Sequence, residues 1–311
     1  MNYNFLIVGG DKRISFLAKR LSKDGNSVYT FANDVEGISA IEKIEDIKNY
    51  KYDIVISSMP LTKDNLNVYA PLSSKKITLS ELKKLSKGKI FIAGKIPKDF
   101  ENIEEDLNKN ISKETENSTN FAHNVNKTYD FLKDEVITIL NTIPTAEGAI
   151  QIAMEETNYT LSGKKALVIG FGRVGKTLAN MLAKFGMEVY CEARKETDLA
   201  WIRAYGYNPI PLDTMKNNLC KMDIIFNTVP VQILDKSTLI LLNKKTIIID
   251  LASAPYGVDY ETAKKLGIKA ILAQALPGKV APATSAEYLQ EFVYKVCCQL
   301  GRFYLTLFCV K

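Results

Sequence analysis

The chain has 311 residues, 46% of them hydrophobic and 24% charged, with a net charge of +6. That length accommodates two domains with a core in each, and the composition is that of a globular protein. No apolar run reaches bilayer length, MNYNFLIVGG reads as a first strand rather than a secretion signal, and the dispersed positive charge forms no nucleic-acid-binding stripe.

In the first half, Asn4–Val8, Ser27–Phe31, Asp53–Ser57 and Lys89–Ala93 read as strands, with helical spacing over Arg13–Lys23 and Leu79–Leu85. Such alternation predicts a parallel sheet with right-handed crossovers. The first strand runs into Gly9, Gly10, Asp11, Lys12 and Arg13. This turn lacks a third glycine and sets Asp11 where a pyrophosphate would sit, so it is not read as a dinucleotide site. Arg13 is instead a candidate partner for a substrate carboxylate, with Asp11 orienting it or shuttling a proton. The plain alternative is a helix-capping Asp11 and a solvated Arg13. Phe100–Thr128, rich in Asn, Lys, Glu and Ser, reads as a surface insertion or a loosely packed helix. It holds the single histidine, His123, as a surface residue. A helix from about Thr145 to Glu156 bridges the halves. Pro144 enforces extended geometry before it, Thr145 is a cap-type residue, and Thr145 and Glu147 are candidates to reach substrate.

The most informative stretch is Lys164–Gly175, KKALVIGFGRVG. A buried strand enters a glycine-rich turn and then a helix spaced by Leu178, Met181, Leu182 and Phe185. Gly170 permits the tight turn, Gly172 lets backbone approach a pyrophosphate, and Gly175 lets helix pack on strand. With Arg173 and Val174 they form the helix N-terminus that favours phosphate. At the end of the next strand, Glu188–Cys191, period two puts Ala193 rather than an acid at the ribose position, with Glu192 pointing the other way. Arg194 and Lys195 follow, and a guanidinium with an ammonium suits a 2′-phosphate. The reading is NADP rather than NAD; the competing one puts Glu192 on the ribose and Arg194–Lys195 in a solvated loop.

Further strands are expected at Asp223–Asn227, Thr246–Asp250 and Ala270–Ala273, with helices at Asp198–Tyr205 and Tyr260–Leu266. Ligands bind off the carboxyl ends of such strands. Thr228, Val229 and Pro230 would line the adenosine or nicotinamide face, and Asp250 would accept from a ribose hydroxyl or the nicotinamide amide, beside Ala252. Leu276 and Pro277 follow the last strand, and Lys279 is a candidate for a substrate carboxylate, as is Thr284. Ala281–Phe308 reads as a long helix with Tyr288, Leu289, Phe292, Val296 and Leu300 on one stripe, returning to the first domain. Five cysteines, Cys191, Cys220, Cys297, Cys298 and Cys309, lack zinc spacing and read as reduced core residues of a cytoplasmic protein, with no metal expected.

The fold class expected is α/β: two Rossmann-like doubly wound domains with parallel sheets, joined by a bridging helix. Residues 1–140 are expected to form a substrate (catalytic) domain completed by helix 282–311, and 141–281 the NADP-binding domain including the bridging helix.

Several stretches in one order, Ile143–Gly148 (IPTAEG), Gly170–Gly175 (GFGRVG), Ala193–Arg194, Asp250–Pro255 (DLASAP) and Leu276–Thr284 (LPGKVAPAT), resemble the dipicolinate synthase A-subunit family of spore-forming bacteria. The resemblance covers the second half and the bridge; the first domain resembles the family through its Gly9–Arg13 turn and its length. Phe100–Thr128 departs from the family, and Lys195 stands where a small hydroxyl residue is common. The resemblance implies NADP-dependent oxidation of dihydrodipicolinate, derived from 4-hydroxy-tetrahydrodipicolinate, in the mother cell of a sporulating bacterium. It also implies a second, flavoprotein-like subunit as partner. Arg13 and Lys279 would supply cations for the two carboxylates, and a homo-oligomer is compatible with the sequence. The alternatives are a generic two-domain amino- or 2-hydroxy-acid dehydrogenase, against which the lack of a well-placed histidine argues, and a non-catalytic nucleotide-binding regulatory subunit.

Overall fold

The computed structural model describes residues 2–101 and 127–308. The chain divides into two compact units: unit 1 comprises 1–138 with 282–311, and unit 2 comprises 139–281. Most strands are short apolar runs, as expected where a parallel sheet is covered on both faces.

Unit 1 holds β1 (Asn4–Val8), α1 (Lys12–Lys23), β2 (Ser27–Phe31), β3 (Ser39–Ala40), β4 (Ile54–Ser57), α2 (Leu79–Leu85), β5 (Ile90–Ala93), α3 (Lys98–Glu101), β6 (Lys127–Asp130) and most of α4 (Glu135–Leu140). Its six strands pair in parallel in the order β3-β2-β1-β4-β5-β6. Asp11 caps α1 by accepting from the Arg13 N–H at 3.0 Å, and Ile14, Leu17, Ala18 and Leu21 form its buried face. Thr78 and Glu81 close α2 with a reciprocal capping box. The long C-terminal helix, labelled α11 (Pro282–Phe308), packs beside α1, with Ala286, Leu289, Val293, Val296 and Cys297 in the core shared with Ile14 and Leu17. Hydrogen bonds from Arg20 to Gln290 (2.6 Å) and from Lys295 to Asp134 (2.8 Å) fasten it. The expected stripe is thus rotated: Leu289 and Val296 are buried, whereas Tyr288 is half-buried and the Leu300 side chain lies outside the described set.

Unit 2 holds α5 (Thr142–Glu156), β7 (Lys165–Ile169), α6 (Arg173–Lys184), β8 (Glu188–Ala193), α7 (Glu196–Ala204), β9 (Asn208–Pro211), β10 (Ile224–Asn227), α8 (Lys236–Leu239), β11 (Ile247–Asp250), α9 (Tyr260–Leu266), β12 (Lys269–Leu272) and α10 (Leu276–Val280). Its six parallel strands run β12-β11-β10-β7-β8-β9, the doubly wound order with its switch point between β7 and β10. Both sheets therefore have the same strand order, which establishes two Rossmann-like α/β units.

Several expectations are corrected. Helix α5 begins at Thr142, and Pro144 lies inside its first turn, where a missing N–H costs nothing, rather than in extended chain. Asn141 is the N-cap, and Thr145 is helical, its hydroxyl donating to the Asn141 carbonyl at 2.7 Å. Within unit 2 the helix sends Ala146, Ala149, Ile150 and Ala153 into the core. Phe100 is buried and Lys127–Thr128 open strand β6, so neither end of the polar stretch is a loose insertion. Its interior, including His123, lies outside the described residues, as does Cys309. Cys191 and Cys297 are buried, but Cys220 and Cys298 are exposed. Strands β3, β6 and β9 are not among those expected; all three are sheet edges or lie next to one end of a sheet, where short, polar or proline-bearing strands blunt unwanted pairing.

Candidate functional site

The turn after β7 is built around three glycines. Gly170 has φ +90°, and a Cβ there would lie 2.5 Å from Val229 Cγ2 and 2.7 Å from Thr228 Oγ1. At Gly175 a Cβ would lie 2.0 Å from the Gly170 carbonyl oxygen, so only glycine lets α6 approach β7 this closely. Nothing stands within 4 Å of the same position on Gly172. Gly172 is the N-cap of α6 and carries no side chain to cap it, so an anion can approach the first helical turn. Open space at the second glycine and tight contact at the first and third fit a dinucleotide pyrophosphate. Arg173 is exposed and Val174 half-buried at this turn.

The loop after β10 is brought to the same turn. Thr228 donates to the Ile169 carbonyl at 2.9 Å, Val229 packs on Gly170, and Pro230 is exposed beyond them. At the end of β8, Ala193 is buried and Arg194 and Lys195 are exposed, with Lys195 at the N-cap of α7. Glu192 does not point away from the turn. It is 2% exposed and its Oε2 accepts from the Gly170 N–H at 3.1 Å. Burial pushes its carboxyl above the ordinary glutamate range, with the Gly170 bond and the Arg194 charge opposing.

The expectation that Asp250 receives a ribose or nicotinamide hydrogen bond is corrected. It is fully buried and accepts from Asn227 Nδ2 (2.8 Å), Ala252 N–H (3.1 Å), Gly257 N–H (3.1 Å) and Tyr260 OH (2.9 Å). These bonds fill its acceptor positions and tie the ends of β10 and β11 together; Ala252 is held buried by the same bond. Gly257 permits this closeness, since a Cβ there would lie 1.9 Å from Asn227 Nδ2. Neither Gly257 nor Tyr260 carries a local signal that announces this hub. Leu276 is likewise turned into the core. It meets α5 at Gly148, where a Cβ would lie 3.1 Å from Leu276 Cβ and 2.8 Å from Val280 Cγ2. Pro277 is half-buried, and Lys279, Thr284 and Glu147 are exposed.

In unit 1, Asp11 caps α1 as the plain alternative expected, but Arg13 is not solvated: the two side chains form an ion pair. Arg13 is 5% exposed; its Nη2 donates to Asp11 Oδ2 at 2.7 Å and to the Met59 carbonyl at 2.5 Å, and its Nε reaches both Asp11 oxygens. Gly9 and Gly10 stand above this pair in sequence, but their turn is filled. The Gly10 N–H donates to the Tyr69 carbonyl at 2.9 Å, and a Cβ on Gly9 would lie 2.7 Å from Val68 Cγ1. Among the described residues no cluster of His, Cys, Asp and Glu could hold a metal, and no helix is long and apolar enough to cross a membrane.

Comparison with known proteins agrees with this geometry. Residues 143–271 match the D-isomer specific 2-hydroxyacid dehydrogenase NAD binding domain, which makes unit 2 a dehydrogenase-like NAD(P)-binding domain. Residues 4–113 match the N-terminal domain of the dipicolinate synthase A-subunit. The crystal structure of the dipicolinate synthase A chain from Bacillus subtilis superposes with a TM-score of 0.80 at 29% identity, over 97% of this chain and 98% of that one. The crystal structure of the dipicolinate synthase A-subunit from Bacillus halodurans gives 0.79 at 27% identity, over 94% and 97%. The dipicolinate synthase A-subunit of Bacillus subtilis (strain 168) is 31% identical over 300 residues, covering 94% of this chain and 95% of its own. On that near-full-length similarity and shared fold, the chain belongs to the dipicolinate synthase A-subunit family.

Proposed function

We propose that this chain performs an NADP-dependent dehydrogenation of dihydrodipicolinate, giving pyridine-2,6-dicarboxylate during sporulation. The observation that carries the reading is 31% identity over 94% of the chain to a dipicolinate synthase A-subunit. The open turn at Gly172 supports the cofactor class. Bound NADP would supply the hydride acceptor. Gly170, Gly172, Arg173, Val174 and Gly175 would hold its pyrophosphate, Arg194 and Lys195 its 2′-phosphate, and Thr228, Val229 and Pro230 would flank the nucleoside. The exposure of Arg194 and Lys195 at the end of β8 is what favours NADP.

Arg13 is the group proposed for a substrate carboxylate, and Asp11 holds its guanidinium in one orientation. Thr145 offers a hydroxyl oxygen as acceptor, since its proton is directed to Asn141. Going from the dihydro ring to the pyridine removes one hydride and one proton, so beside a bound dinucleotide as hydride acceptor the site would need a base for the proton, and aromatisation would make the reaction downhill. Each of these relatives is one subunit of its synthase, which supports a partner for this chain, and a flavoprotein is proposed for that role. A cytoplasmic mother-cell setting follows from the same reading.

The test is to mix the purified chain with NADP and freshly generated dihydrodipicolinate, following pyridine-dicarboxylate and NADPH absorbance together. Matched appearance of both establishes the reaction. Silence relieved by the flavoprotein partner moves the active site to the complex, and silence in both cases refutes the assignment.

A further inference from the structure

Helices α5 and α6 of unit 2 pack side by side and leave a groove of about 690 Å³ that the proposed chemistry does not use. Its floor and walls are apolar: Ile150 is buried, Met181 is half-buried, and Met154 and Phe185 are each 47% exposed. Large apolar side chains gathered in a hollow stay in water until something covers them. The two rims carry charge of opposite sign. Glu147, Gln151 and Glu155 follow at four-residue steps along α5, all exposed, which sets the acids about 12 Å apart. Lys184 is exposed on the α6 rim. Gln151 donates to Glu155 at 2.8 Å, and neither acid nor Lys184 has an ion-pair partner among the described residues.

A groove between two ridges takes a convex occupant. A second copy of this chain would bring an identical hollow, and two hollows face to face leave space that close packing disfavours. A single helix fills such a groove with its apolar stripe, and the two methionines adapt to its shape. We propose that the α5–α6 groove holds an amphipathic helix of the second synthase subunit, with basic residues eight apart facing Glu147 and Glu155 and an acid facing Lys184. This rests on the reading that the chain works with a partner subunit, as each of its relatives is one subunit of a synthase.

The experiment titrates the full chain with the purified second subunit by calorimetry and sediments the chain alone. Binding is expected, and Phe185→Glu and Met154→Glu should each weaken it at least about tenfold, since apolar anchors carry much of an interface's energy. Glu155→Lys should weaken it about threefold to tenfold and reduce its sensitivity to salt. NADP affinity should be unchanged in all three variants. Glu155→Lys alters only an exposed charge and decides the matter if an apolar variant does not fold. Unchanged partner affinity in the variants overturns the groove assignment while the partner reading stands. If the native chain does not bind the second subunit, both fall. If the native chain sediments as a dimer that Phe185→Glu dissociates, the groove belongs to a second copy and the proposal is overturned.

Discussion

In unit 1 the first strand of the sheet ends in Gly9–Gly10, and the chain itself occupies that turn. The long segment 58–78 returns after β4, sets Val68 against Gly9 and receives the Gly10 N–H on the Tyr69 carbonyl. In unit 2 the corresponding strand ends in Gly170–Gly172. There the shorter segment 228–235 leaves β10 and, of the turn's three glycines, meets only Gly170, while Gly172 faces open space. The strand order is the same in both, so topology alone does not make a nucleotide site; what covers the turn decides. The charge at each turn differs too. Unit 1 has a half-buried Asp11 paired with a buried Arg13, whereas unit 2 has a bare helix start followed by exposed Arg194 and Lys195.

The comparison breaks if the chain binds two dinucleotides. Calorimetry with NADP should give one site, and Gly175→Val should weaken it by at least about 100-fold because the added carbon meets the Gly170 carbonyl. Gly9→Ala in unit 1 should leave NADP affinity unchanged while lowering the melting temperature, its positive φ costing about 1–2 kcal/mol in any other residue.

Arg194→Ala sharpens it next. NADP binding should fall about 10- to 100-fold with NAD nearly unaffected, and equal losses for both would remove the 2′-phosphate assignment. In unit 1, Arg13→Ala should raise the KM for the dicarboxylate about tenfold with NADP affinity intact. Ordinary steady-state kinetics would take Arg13 out of the site.

The smallest effect is in the pH dependence of stability. Burial raises the Glu192 carboxyl above its ordinary value of 4.5, so its stabilising contribution is full below that value and is lost as pH rises through the folded value. The melting temperature of Glu192→Gln relative to the native chain should therefore rise from pH 4 to pH 8. Asp134 in unit 1 behaves oppositely. The hydrogen bond from Lys295 lowers its carboxyl, so its contribution is present above the ordinary 3.8 and lost as pH falls. Lys295→Ala should cost less than about 1 kcal/mol at pH 7, given the exposed lysine, and nothing at low pH.

The interior strands of both sheets are legible in the sequence because a strand covered on both faces must be apolar throughout, as Ile54–Ser57 and Ile247–Asp250 largely are. Edge strands such as Asn208–Pro211 are not, since their sequence is selected against pairing rather than for burial. Pro144 misleads because proline signals both extended chain and a helical first turn, and only the packing of Ala146 and Ala149 selects the helix. Asp250 and Leu276 look like ligand contacts from their place at strand ends. Nothing local reveals Tyr260 and Gly257 closing on the first or Gly148 receiving the second.

By itself the sequence determined the alternation of strands and helices, the glycine turn at 170–175 and the cations that follow β8. These depend on periodicity and on single-residue sterics, which act over a few positions. Tertiary structure decided which of two glycine turns stays open, which strand-end polar groups are consumed by the protein, and that Glu192 folds over Gly170. Those outcomes are set by contacts between segments distant in the chain, such as Val68 on Gly9 and Gly257 on Asn227. They follow from what else fills the space, which no local pattern encodes.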